Sequence, residues 1–111
     1  MTFTRACSVA DVASGTALAV DLDGTAVAVV HDGDDWYAVA DECSHAAIPL
    51  SEGEVEGCEI ECWLHGSRFD LRTGKPTGPP ATERVATYPV RVEGDDVLVD
   101  PANPINDSMN N

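Results

Sequence analysis

Basic residues are scarce in this chain. Six lysines and arginines face twenty aspartates and glutamates, for a formal net charge of −14. Nucleic acid and anionic membrane surfaces are poor partners for such a protein. A protein partner with a basic surface fits better, with acidity steering encounter rather than setting affinity; solubility alone is the plainer reading of the same charge. No apolar run approaches the roughly 20 residues that cross a bilayer. The opening Met1-Thr2-Phe3-Thr4-Arg5 has no apolar segment behind a basic one, so it does not read as a signal peptide. The expected compartment is the cytoplasm, where reducing conditions favour thiolate ligands over disulfides. Sustained helical periodicity is absent, as are internal repeats. The 111 residues fit one domain.

What remains is a series of short apolar, β-branched runs separated by turn residues. Phe3 to Val9 reads as a first strand. Thr16 to Val20 and Ala26 to Val30 flank Asp21-Leu22-Asp23-Gly24, whose Asp-Gly step suits a hairpin. Trp36 to Ala40 follows a second turn at His31–Asp35, and its Trp36-Tyr37 pair is expected to place one ring in the core and one outside. Val85 to Val92 and Val97 to Val99 around Glu93-Gly94-Asp95-Asp96 read as a last hairpin. The fold class is therefore all-β, an antiparallel β-sandwich or small barrel.

Residues 41–80 differ in being rich in Gly, Pro, Cys and His, and read as a small subdomain inserted into the β framework of a single 1–100 domain. Residues 101–111, with Pro, Asn and Ser, read as a flexible tail. Within the insert, Cys58, Ile60 and Cys62 alternate with Glu59 and Glu61, which places the three on one strand face.

Two clusters carry the chemistry: Cys43-Ser44-His45 and Cys62-Trp63-Leu64-His65. Each holds one thiol and one imidazole. A closed zinc site also uses two Cys and two His, but zinc fingers group like with like. Two loops with mixed pairs can instead deliver two thiolates to one iron and two imidazoles to another. A zinc-holding binding module thus stands as the alternative to a redox centre, and a red-brown colour that bleaches with dithionite separates them.

Cys43-x-His45 and Cys62-x-x-His65-Gly66, extended by Ser67-Arg68-Phe69-Asp70, resemble the signature of Rieske [2Fe–2S] proteins. Thr73-Gly74 and Pro79-Pro80 are similar to that family too. The likeness runs the length of the chain, with its specificity in residues 43–70. The resemblance implies that Cys43 and Cys62 hold the inner iron of one [2Fe–2S] cluster and His45 and His65 the outer, with both imidazoles reaching the surface. It also implies that a proline-bearing loop, Pro76 to Pro80 here, covers the cluster from a third side. Neutral imidazoles bring less negative charge than thiolates, so the added electron is expected on the outer iron.

High-potential members of the family carry an extra Cys in each loop, and these two form a disulfide. Ile48 and Leu64 stand at the matching positions and cannot bridge. Those members also aim a Ser and a Tyr hydroxyl at the cluster; this chain keeps Ser67 but has Phe69 in the Tyr position. With one donor fewer, the expected potential lies at the low end of the Rieske range, roughly −150 mV. A small Rieske protein of this kind resembles the ferredoxin of a bacterial aromatic-ring dioxygenase system. That implies single electrons passed from a flavin-containing, NAD(P)H-dependent ferredoxin reductase to a terminal Rieske oxygenase, by a monomer without catalysis of its own. An electron-donor subunit of another oxidoreductase is the runner-up. Only His31 remains beyond the ligands, too few for a 2-His-1-carboxylate iron site.

Ala46, Ala47, Ile48, Pro49 and Leu50 beside the first pair, with Trp63 and Leu64 beside the second, suggest an apolar collar around the imidazoles. Trp63 has two readings, docking on a partner or packing over the cluster. Gly66 is expected to permit a tight turn after His65. Cys7 and Cys58 read as buried small hydrophobes, and His31 as a solvated turn residue.

Overall fold

The computed structural model describes residues 3–42, 49–62, 66–77 and 84–101. Within them ten strands run in chain order: β1 (Thr4–Ser8), β2 (Thr16–Leu22), β3 (Thr25–Asp32), β4 (Asp35–Ala40), β5 (Val55–Glu56), β6 (Glu59–Glu61), β7 (Arg68–Asp70), β8 (Thr87–Tyr88), β9 (Val90–Glu93) and β10 (Asp96–Val99). Two single 3-10 turns, Val9–Asp11 and Leu50–Glu52, are the helical content among these residues. The all-β expectation holds.

The strands make three antiparallel sheets, in the orders β2-β3-β4-β8, β1-β10-β9 and β5-β6-β7. The first lies in the middle. Its strand β3 is buried on both faces, which explains the unbroken run Val27-Ala28-Val29-Val30. Val27 and Val29 pack with Cys7, Val97 and Val99 of the β1-β10-β9 sheet. Ala28 and Val30 pack with Ile60, Cys62 and Phe69 of the β5-β6-β7 region, and with Leu50. Each large apolar side chain so buried contributes about 1.5–3 kcal/mol by leaving water.

Turn chemistry sets the registers. Between β2 and β3, Leu22 pairs with Thr25, and the two central residues Asp23 and Gly24 have φ of 54° and 89°. Two positive φ values are what a type I′ hairpin needs, and Asp-Gly adopts them readily. The turn is tighter than the four-residue one expected, because Asp21 and Leu22 belong to β2.

Three expectations are corrected. Val85 to Val92 is not one strand. Pro89, lacking an N–H, falls between β8, which pairs with β4, and β9, which pairs with β10, so the chain changes sheets there. Trp36 and Tyr37 are both half-buried, because β4 belongs to the middle sheet: Trp36 packs on one core and Tyr37 on the other. His31 is not simply solvated. Its ring stacks on Trp36 at a centroid distance of 4.0 Å, and its Nδ1–H donates to the Val12 carbonyl at 2.9 Å.

Candidate metal centre

Cys62, the first residue of the second Cys/His segment, directly follows β6, which pairs with β7. Ile60 pairs with Phe69 and Glu61 with Arg68. The period-two alternation buries Ile60 and Phe69 and leaves Glu59, Glu61, Arg68 and Asp70 on the half-exposed outer face. The ladder continues past the strands: the Cys62 N–H donates to the Ser67 carbonyl at 2.6 Å, and the Gly66 N–H donates back to the Cys62 carbonyl at 2.9 Å. Gly66 has φ of 75°, so the turn expected there is present, in a conformation that disfavours a Cβ. Cys62 is 1 % exposed and Ser67 is fully buried. Cys62 thus leaves a rigid strand directly into the core beside Ile60 and Phe69.

The first segment departs from β4 and returns at the Leu50–Glu52 turn. Its flanks are tied together. The Asp41 carboxylate accepts the Ser51 N–H at 2.7 Å and the Ser51 hydroxyl at 3.0 Å. Leu50 is fully buried in the core shared with Cys62. That corrects its place in the apolar collar; of the collar residues that are described, Pro49 alone is exposed. Two residues beyond Ser51, Gly53 meets the Glu61 carbonyl so closely that a Cβ there would overlap it. The Glu61 N–H in turn donates to the Glu54 carbonyl at 2.8 Å. The return of the first segment is therefore built onto the strand that carries Cys62.

A third segment approaches β7. Pro76 bridges to Phe69, and the Thr77 N–H donates to the Arg68 carbonyl at 2.7 Å. The turn before it is held by Asp70. Burial disfavours the Asp70 carboxylate, but the N–H of Arg72, which it accepts at 2.8 Å, and the Arg72 charge together hold it below the usual carboxylate range.

Of the four candidate ligands, Cys62 is placed at this site. Cys43, His45 and His65 lie outside the described residues, as do Ala46, Ala47, Ile48, Trp63, Leu64, Pro79, Pro80 and residues 102–111. Cys58 is not on the face of Ile60 and Cys62. Glu56 pairs with Glu59, so Gly57 and Cys58 form a two-residue hairpin turn with φ of 59° and 63°. The Cys58 sulfur lies 3.6 Å from the Tyr37 hydroxyl, and this hydrogen bond, with burial, pushes the Tyr37 phenol up to about 12. Cys7, Cys58 and Cys62 carry no disulfide. Cys7 is buried as expected, whereas Cys58 is half-exposed. Nothing local in the sequence marks the Asp41–Ser51 and Gly53–Glu61 contacts. Their partners are 10 and 8 residues apart in sequence, a spacing without a local signal.

Residues 2–89 match the Rieske [2Fe-2S] domain. The chain belongs to that family. It is 46% identical over 101 residues to the biphenyl dioxygenase ferredoxin subunit of Pseudomonas sp. (strain KKS102), a match covering 90% of this chain and 93% of that protein. Its fold is similar to the solved ferredoxin of carbazole 1,9a-dioxygenase from Nocardioides aromaticivorans IC177, with a TM-score of 0.86 and 43% identity over 91% of this chain and 99% of that one. A chain from a complex of reduced oxygenase and oxidized ferredoxin in carbazole 1,9a-dioxygenase matches at 36% identity and a TM-score of 0.82, over 87% of this chain and 91% of that one. The chain is a Rieske-type ferredoxin, an electron-transfer component rather than an oxygenase, and its cofactor is one [2Fe–2S] cluster. Among the described residues no helix is long and apolar enough to cross a membrane.

Proposed function

We propose that Cys43 and Cys62 bind the inner iron of the cluster as thiolates and that His45 and His65 bind the outer iron through one imidazole nitrogen each. The donor chemistry suits the group, since a Rieske centre takes two thiolates on one iron and two imidazoles on the other. The observation that carries the reading is Cys62. It is buried at the end of β6, and the hairpin bonds at Gly66 and Ser67 hold both ends of the segment that contains His65. An apolar wall of Ile60, Phe69 and Leu50 stands behind it and keeps water from the inner side. The 41–80 segment is then the cluster-binding unit of a single 1–100 domain.

A cluster held by these residues would supply one-electron chemistry. Around it, the chain's residues set the potential and the docking. Phe69 offers no hydroxyl and Ser67 offers one, so the potential belongs at the low end of the Rieske range, roughly −150 mV. Pro49 is exposed, and with Trp63 and Leu64 in the second segment it supplies the apolar set through which a partner would meet the histidines. Small contacts of this kind suit brief electron-transfer encounters.

The carrier works in the cytoplasm as a monomer, between a flavin-containing NAD(P)H-dependent reductase and the terminal oxygenase of an aromatic-ring dioxygenase. Support comes from the relatives: the match to a dioxygenase ferredoxin subunit runs nearly the full length of both chains. Reconstitution tests this. The holoprotein, mixed with such a reductase and oxygenase, is expected to make substrate oxidation depend on NADH. Oxidation at the same rate without the chain overturns the role. A colourless protein with stoichiometric zinc overturns the centre.

A further inference from the structure

One carboxylate bridges the described residues on either side of the segment 43–48. Asp41 accepts two hydrogen bonds from Ser51, from the N–H at 2.7 Å and from the hydroxyl at 3.0 Å, and the contact is partly buried. The Asp41 N–H donates to the Ala26 carbonyl at 3.1 Å, which continues the β3–β4 ladder by one more pair. Asp41 is thus anchored in the middle sheet. Ser51 is anchored on the other side: Leu50 beside it is fully buried, and Gly53 two residues on lies against Glu61, the neighbour of Cys62. The carboxylate therefore joins the exit of β4 to the frame of the second ligand segment.

We propose that Asp41 is a positioning residue for the cluster. The Asp41–Ser51 clamp fixes the two described sides between which Cys43 and His45 lie in sequence, and so limits where those ligands can be presented to the cluster. The inference rests on Cys43 and His45 being ligands. The physical reason is entropic. A loop whose ends are already joined has less conformational freedom to lose when its ligands are fixed. Capping of the short Leu50–Glu52 turn is the purely structural role of the same bonds, and it predicts an effect on stability alone.

The test uses holoprotein in five forms: wild type, Asp41→Ala, Asp41→Asn, Ser51→Ala and the Asp41→Ala/Ser51→Ala double variant. Asn keeps an oxygen that can accept the Ser51 N–H, whereas Ala keeps none. The readouts are the EPR spectrum of the reduced protein and the rate of cluster loss to a chelator. Asp41→Ala is expected to broaden the EPR signals and to lose cluster about 10-fold faster, the lower end of what supporting-shell changes cost in metal retention. Asp41→Asn restores the wild-type spectrum. Ser51→Ala, which leaves the N–H bond in place, falls between them, and in the Asp41→Ala background it adds nothing. If Asp41→Ala instead keeps the wild-type spectrum and loss rate, the clamp is only a cap and the proposal fails. Cys43→Ser is the separate control: a wild-type cluster in that variant overturns the ligand assignment, whatever Asp41 does.

Discussion

The backbone of Gly53 lies directly on the carbonyl oxygen of Glu61, in a space that a single methyl group would overfill. Gly53 has φ of −87°, so this glycine is required for close approach and not for an unusual backbone conformation. Both partners are main chain, and neither can swing away. Gly53→Ala is expected to push the Leu50–Glu52 turn off β6 and to destabilise the fold by about 1–3 kcal/mol, the usual cost of overpacking. Denaturant unfolding of the holoprotein measures this. A midpoint equal to that of the wild type would show that the two segments separate without cost.

Ser67 is fully buried one residue past the Gly66 turn. A hydroxyl donated toward the cluster stabilises the more negative, reduced state. Removing it in Ser67→Ala forfeits about 0.5–1.5 kcal/mol of that stabilisation. For one electron this lowers the potential by roughly 20–65 mV, since 59 mV corresponds to a tenfold change in the equilibrium constant. Protein-film voltammetry reads the shift, and a rise or no change removes Ser67 from the cluster's hydrogen-bond shell.

Tyr37 gives a pH dependence with a definite sign. The hydrogen bond to Cys58, with burial, raises the phenol from its ordinary 10.0 to about 12 in the folded protein. A raised folded-state value favours the neutral form. Its contribution to stability is complete below pH 10.0 and disappears as pH rises through about 12, because the unfolded chain ionises first. Burial also raises Tyr88, so neither phenol should ionise at its ordinary pH. Tyr37→Phe is expected to flatten the loss of stability over that interval in equilibrium unfolding. An unaltered slope would mean that the Cys58 contact does not persist in solution.

Trp63 separates docking from cluster binding. On the docking reading, a carboxylate at this position, in Trp63→Glu, is expected to slow electron transfer to the oxygenase while leaving the visible and EPR spectra unchanged. Altered spectra with unchanged transfer would assign Trp63 to packing over the cluster.

The metal chemistry was legible in the residues because ligation is a property of side-chain type and spacing. Two mixed Cys/His pairs leave few alternatives, and the family match bears out the kind of cluster they pointed to. Local turns were legible for the same kind of reason: Asp23-Gly24 and Gly66 have backbone preferences that travel with the residue. The alternation at Ile60 and Cys62 also held. It failed one step earlier at Cys58, where Gly57 takes the chain around a turn that a non-glycine residue must share. Gly57 was the available signal, but hairpin turns compete with strand continuation on equal local terms.

Pairing between distant segments was a different matter. From the sequence alone came an all-β chain with two candidate ligand segments and an excess of acid, because composition, period and ligand chemistry are local. Only the tertiary structure decided that Pro89 divides one apolar run between two sheets, and that Trp36 and Tyr37 serve opposite cores. It alone joined Asp41 to Ser51 and laid Gly53 on Glu61. Such contacts depend on which strands lie side by side, and many pairings satisfy the same alternation. The choice among them is made by packing three sheets around β3, where every buried side chain must find room at once.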